Sequence, residues 1–217
     1  DTAHFGSYAF NSLCIILGCL AFDVVFNGLG GYVLSRIKPF GTAALNTALF
    51  WTMMLSGISM VPLYMTFVDF PIGHFNMTGS FAPLWMMSAT NAFNIFLFRN
   101  FFNSIPMDYL EAARIDGLTE FGIFWKIMLP QVKPAVITLV ILSVNGSWND
   151  LLWPMIVTSS TEMRTLANGL ALFIGQNTIE YGAAFAGALV SLLPMFILYM
   201  FGQKYFVEGM SSGGLKG

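Results

Sequence analysis

The sequence predicts an all-α integral membrane protein, and three observations carry that prediction. Hydrophobic residues make up 56% of the 217-residue chain and charged residues only 9%, against about 25% charged in a soluble domain. The apolar residues fall into runs of about 20 or more, the length a helix needs to cross the hydrocarbon core. The Lys and Arg residues gather in alternate connecting segments. This composition excludes an ordinary soluble enzyme, a disordered chain and a basic nucleic-acid binder, none of which carries so much apolar surface.

The runs define five spans, at about 9–33, 44–68, 81–98, 134–157 and 183–205. Arg36 and Lys38 follow the first; Arg99, Arg114, Lys126 and Lys133 lie between the third and fourth; Lys204 and Lys216 follow the fifth. The remaining connections hold only Arg164, so eight of the nine basic residues fall on one side. The positive-inside rule makes that side cytoplasmic, with Asp1 outside and the C-terminal tail, 206–217, inside. A chain starting outside without a signal peptide implies one preceding helix, six spans in all. The chain shows one domain and no internal repeat. Cys14 and Cys19, five apart in an apolar run, point to different helix faces and make neither a redox pair nor a zinc set. His4 and His74 are solitary, so no metal site is expected.

The loop 99–133 is too polar for the membrane and too patterned for a linker. Pro106 and Asp108 suit a first helical turn and Gly117 a left-handed C-terminal stop, predicting a helix over 105–116. On it Tyr109, Ala112, Ala113 and Asp116 share a face, shallow enough for another protein to approach the backbone. A second helix is expected from an N-cap Thr119, with Glu120 in its first turn, to Leu129 before Pro130. Its Phe121, Phe124, Trp125 and Met128 form an apolar stripe suited to the membrane domain. The pair reads as a docking device.

Glu111-Ala112-Ala113, three residues, Gly117, nine residues, Ile127, one residue and Leu129-Pro130 resemble the E-A-A-x3-G-x9-I-x-L-P loop of ABC importer permeases. Ser147 to Pro154 is similar to the W-N-[DE]-F-x-x-P stretch of the carbohydrate-uptake, maltose-transporter type, with Leu151 where Phe is common. Thr165-Leu166 with Gly169-Leu170 resembles its T-L-x-x-G-L segment. Gly213-Gly214-Leu215-Lys216-Gly217 resembles the G-G-x-K-G ending of its smaller permease, and Asn11-Ser12 the N-S that opens its second helix. Leu118, where Ala often follows the glycine, and Asp23, an acid within a span, depart from the pattern.

The resemblance implies a type I ABC importer transmembrane fold in a prokaryotic inner membrane and a non-catalytic subunit importing a sugar, oligosaccharide or polyol. It implies as partners a second permease, two ABC ATPase subunits that hold ATP and Mg, and an extracytoplasmic solute-binding protein. Glu111, Ala112, Ala113, Asp116 and Gly117 would then engage the ATPase, with Ile127, Leu129 and Pro130 completing the coupling loop. Gly213, Gly214, Leu215, Lys216 and Gly217 would reach the interface between the ATPases. No G-x-x-x-x-G-K-[ST] occurs, so nucleotide is expected on the partners. The alternative is a self-contained secondary transporter or channel, which would not need the glycine-stopped loop.

Polar groups within spans are costly in lipid and should face protein or water. Thr138, Asn145, Trp148 and Asn149 share a helical face in the fourth span, where amides and an indole suit a sugar. They line the pathway or hold helices together. Asp23, with Asn27 one turn on, has the same two readings. Gly28-Leu29-Gly30-Gly31 fits close helix packing rather than a dinucleotide fingerprint.

Overall fold

A computed structural model of the chain describes residues 5–54, 59–158, 160–176, 185, 188–189, 191–197 and 199–200. The described elements are helices: α1 (Phe5–Ile37), α2 (Thr42–Met54), α3 (Met60–Val68), α4 (Ala82–Ser88) and α5 (Ala92–Asn103). They continue with α6 (Asp108–Ile115), α7 (Glu120–Gln131), α8 (Lys133–Asn149), α9 (Leu152–Val157) and α10 (Leu166–Gln176). Among the described residues α1 is the single helix long and apolar enough to cross a membrane; α7 and α8 pass the same test only together, bent by 83°.

Two apolar runs, 81–98 and 134–157, are interrupted where the sequence suggests continuity. The run 44–68 appears as α2 and α3, with 55–58 outside the described residues. The run 81–98 is two helices, because Asn91 is extended and its side chain caps α5 by accepting the Asn94 N–H. That second helix continues to Asn103, so Arg99 lies in a helix and the polar loop starts later than expected. The run 134–157 breaks at Asp150, which is extended and whose Oδ1 accepts the N–H groups of Leu152 and Trp153 at 3.1 and 3.3 Å, starting α9. Asp is a strong N-cap residue. Eleven of the 23 residues of the 183–205 run and the whole glycine-rich tail, Gly213 to Gly217, lie outside the described residues.

α1 is the spine, and it closes against α5 along Gly28, Gly30 and Gly31. A Cβ added at Gly31 would lie 2.6 Å from Phe98 Cβ and 2.9 Å from the Arg99 backbone nitrogen. The two backbones therefore touch, as small residues permit in membrane helix pairs. α1 also contains wide π turns at Asp23–Asn27 and Val33–Ile37. At its N-terminal half Asn11 Nδ2 donates to the carbonyls of Glu162 and Arg164 at 2.6 and 3.1 Å, and Ser12 Oγ accepts the Leu166 N–H at 2.9 Å. The Asn11-Ser12 pair thus fastens the segment entering α10.

One core cluster joins membrane helices to the loop: Tyr32 from α1, Phe98 and Phe102 from α5, Leu110 and Ala113 from α6, Ile123, Phe124 and Met128 from α7, and Ala135 and Leu139 from α8. Phe98 and Phe102 stack at 5.7 Å and Tyr32 meets Phe102 edge-on at 6.1 Å, geometries favoured by the ring quadrupole.

Candidate coupling site and polar cleft

α6 is shorter than the predicted 105–116 helix, starting at Asp108 because Pro106 lies outside it. Asp108 and Glu111 stand in its first turn and Arg114 in its last, the order that complements a helix dipole. Its end is a Schellman motif: the Gly117 N–H donates to the Arg114 carbonyl and the Leu118 N–H to the Ala113 carbonyl, both at 3.0 Å. This closure places C′ in the left-handed region, and Gly117 has φ +81°.

The face expected to contain Tyr109, Ala112, Ala113 and Asp116 is divided. Ala113 is buried with Leu110 against the shared core, while Tyr109, Glu111, Ala112, Ile115 and Asp116 are exposed. Ile115 is 86% exposed, more than the interior of a folded chain leaves a large aliphatic side chain. Ala113, one turn from Leu110 on a helix, completes the inner face, and Ala112 remains outside.

α7 begins at Thr119 as expected, with Thr119 Oγ1 accepting the Gly122 N–H at 3.2 Å. It does not stop before Pro130. A π turn over Phe124–Met128 precedes the proline, and the helix runs on to Gln131, since a local change of register accommodates a residue with no N–H. The predicted apolar stripe splits: Phe124 and Met128 are fully buried, while Phe121 and Trp125 are exposed. Ile127 and Leu129 pack on the shared core and Pro130 is exposed.

Two ties absent from the sequence reading fix the loop to α1. Glu120 accepts from Arg114 Nε at 2.8 Å through Oε1 and from the Tyr32 hydroxyl at 2.5 Å through Oε2, linking α6, α7 and α1. Arg36 donates to the carbonyls of Phe102 and Ile105, and its Nη1 lies 2.8 Å from Met107 Sδ. A cation there suits the last-turn carbonyls of α5. The Arg114 hydrogen bond, then that from Tyr32, holds the Glu120 carboxyl below the ordinary carboxylate value. Its contribution is therefore full above that value and is lost as pH falls through the lowered one. Glu120→Gln should loosen α6, read as faster amide hydrogen exchange over 108–118 at neutral pH with the membrane helices unchanged. Tyr32→Phe should give a smaller effect. Unchanged exchange in Glu120→Gln would mean that the shared core alone positions α6.

The polar spans are organised around Asp23, which is 1% exposed. It accepts from Asn27 of its own helix, from Asn94 Nδ2 at 2.8 and 3.0 Å, and from Ser143 of α8. Asn27 in turn donates to the Ser88 carbonyl and accepts the Asn91 N–H, both at 2.9 Å. One amide thereby satisfies backbone groups on both sides of the α4–α5 interruption, as buried backbone requires. A cleft of about 500 Å³ adjoins this network, lined by Asp23, Asn91, Asn94, Ser147, Asp150 and Trp153 among others.

Asn145, Trp148 and Asn149 do not line this cleft; Trp148 and Asn149 line a separate one of about 490 Å³ with Ala167, Leu170 and Ser191. Trp148 is buried with Tyr8, Ile16 and Leu166 and donates Nε1–H to the Ser191 carbonyl at 2.9 Å. Asn145 and Asn149 are exposed, and Asn149 Nδ2 donates back to the Asn145 carbonyl and Oδ1 at 2.9 and 3.0 Å. The 100° step between positions 148 and 149 turns the indole inward.

The chain is thus helical, of membrane composition, and carries a glycine-stopped loop built onto its core. Residues 15–212 match the family model of the binding-protein-dependent transport system inner membrane component, and the chain belongs to that family. It is 34% identical over 209 residues to the arabinooligosaccharides transport system permease protein AraQ of Bacillus subtilis, covering 96% of this chain and 73% of that protein. It is 32% identical over 225 residues to the melibiose/raffinose/stachyose import permease protein MelC of the same organism, covering 100% and 78%. Its fold superposes with a TM-score of 0.82 and 28% identity on a bacterial ABC transporter that imports the acidic polysaccharide alginate, over 94% of this chain and 76% of that one. The chain is thus an ABC importer permease subunit of the inner membrane.

Proposed function

We propose that this chain is one of two permeases in an ATP-driven importer for a sugar, oligosaccharide or related polyol. The exposed face of α6, mounted on a core shared with the membrane helices, carries the reading. A surface fixed so firmly to the transmembrane body passes a partner's movement to it. Glu111, Ala112, Asp116 and Gly117 form the contact with a separate ATPase subunit. Ala113, Ile127 and Leu129 hold the contact in place from beneath, and Pro130 ends the motif on its exposed side. Five spans, at about 9–33, 44–68, 81–98, 134–157 and 183–205, put this loop and the Gly213–Gly217 tail in the cytoplasm, where two ATPases supply ATP and Mg chemistry. A solute-binding protein delivers substrate on the other side. The sugar class is supported by the substrates of AraQ and MelC.

Purification from native membranes tests this. Two ATPase subunits and a second permease should accompany the chain, and reconstituted vesicles should take up oligosaccharide only with internal ATP. Uptake by the chain alone, driven by an ion gradient, would overturn the reading in favour of a secondary transporter.

A further inference from the structure

The cleft beside Asp23 has a chemical character of its own. Two helix interruptions, α4–α5 at Ala89–Asn91 and α8–α9 at Asp150, bring irregular backbone to its wall, which membrane proteins tolerate only within protein or along a polar cavity. Gly146 and Ser147 in the last turn of α8 line it, and carbonyls of a last turn have no partner within their helix and form the negative end of its dipole. Among the described residues the charged groups of the lining are Asp23 and Asp150, with no Lys, Arg or His. Asp23 is occupied by neutral donors, from Asn27, Asn94 and Ser143. Asp150 uses Oδ1 for the start of α9, and among the described residues nothing donates to its Oδ2. The N-terminus of α5 at the rim is capped by Asn91. Ser147, Asn91 and the partly buried Trp153 add hydroxyl, amide and a flat indole. The rest of the wall is largely apolar, and its two acids, when ionised, give it a negative potential. It suits the hydroxyl donors of an uncharged sugar and repels carboxylates.

Resting on the permease reading, we propose that this cleft is a saccharide subsite of this subunit that accepts uncharged sugars and rejects uronates, unlike the acidic polysaccharide of the structurally similar alginate importer. Asp150 is the residue that sets the preference.

The test uses the assembled importer with Cys14 and Cys19 replaced by Ala and Ser147→Cys introduced. Modification rates by methanethiosulfonates carrying trimethylammonium and sulfonate groups are compared, each normalised to an exposed reference cysteine. The cationic reagent should react about tenfold faster or more, the size of one uncompensated charge at this range. Asp150→Asn, which keeps the helix-capping oxygen, should bring the ratio severalfold nearer to parity. Raffinose or arabinotriose at millimolar concentration should slow the modification, and trigalacturonate should not. A faster anionic reagent, protection by trigalacturonate, or no protection by either neutral sugar would each overturn the proposal. Co-purification of the ATPases with this variant reports separately on the permease reading, so the two can fail independently.

Discussion

Gly31→Ala should leave little intact protein after detergent extraction, although it adds one methyl group. The added carbon would meet Phe98 Cβ at 2.6 Å, the Arg99 nitrogen at 2.9 Å and the Ile95 carbonyl oxygen at 3.0 Å. Two of those atoms are backbone, so no rotamer change relieves the clash, and α1 must move away from α5. Overpacking of this kind costs about 1–3 kcal/mol and occasionally more. The cost is greater here because the hydrogen bonds from Asn94 to Asp23 and from the Asn91 N–H to Asn27 cross the same helix pair and are stretched together. Gly6→Ala, where nothing lies within 4 Å, is the control and should be neutral or slightly stabilising, since alanine suits a helix better by about 1 kcal/mol. The measurement is the monodisperse fraction and thermal aggregation midpoint of both variants. A Gly31→Ala protein as stable as the parent would show that the helix pair is looser than its geometry.

Gly117→Val should insert normally and still abolish transport. A Cβ at Gly117 meets nothing within 4 Å, so crowding within the chain is not the cause. The strain comes from φ +81°, a conformation that costs an L-residue about 1–2 kcal/mol and is an outlier for a β-branched one. The Schellman bonds that end α6 depend on that conformation, and their loss would tilt Glu111, Ala112 and Asp116 together. Gly117→Asn, which tolerates the left-handed region, should retain much of the activity. The readouts are membrane content, ATPase co-purification and substrate-stimulated hydrolysis. Coupled hydrolysis and uptake at parental rates in Gly117→Val would exclude this hinge as part of the mechanism.

The loop was legible because its signals are local. A left-handed glycine and a threonine cap act within three or four residues, so Gly117 and Thr119 mark their helix ends from the sequence alone. The helix interruptions were not legible, because the hydrophobic run crosses 89–91 without a charge and the role of Asp150 shows only when its side chain is seen bonding the N–H groups of Leu152 and Trp153. The inner face of α6 was half legible: Ala112 and Ala113 are identical in composition, and only Leu110 below Ala113 decides which is buried. Pro130 was misleading, since the wide turn before it absorbs the missing donor. Glu120 was seen only as a first-turn acid. Its partner Tyr32 is 88 residues away, a distance no periodicity encodes. Asp23 and Asn27 were recognised as a pair, but Asn94 and Ser143 became partners only through the packing of α5 and α8.

α1 is 33 residues long, about 50 Å at 1.5 Å per residue. Near one end Asn11 and Ser12 grip the segment before α10, and near the other Tyr32 and Arg36 grip the coupling loop. It therefore works as a beam clamped at both ends, and a tilt of about 5° displaces one end relative to the other by about 4 Å. The widened turn at Asp23–Asn27 lies between the clamps and against the polar cleft, where such a beam is most easily flexed. A push on the loop and a pull on the far segment thus both bear on this turn.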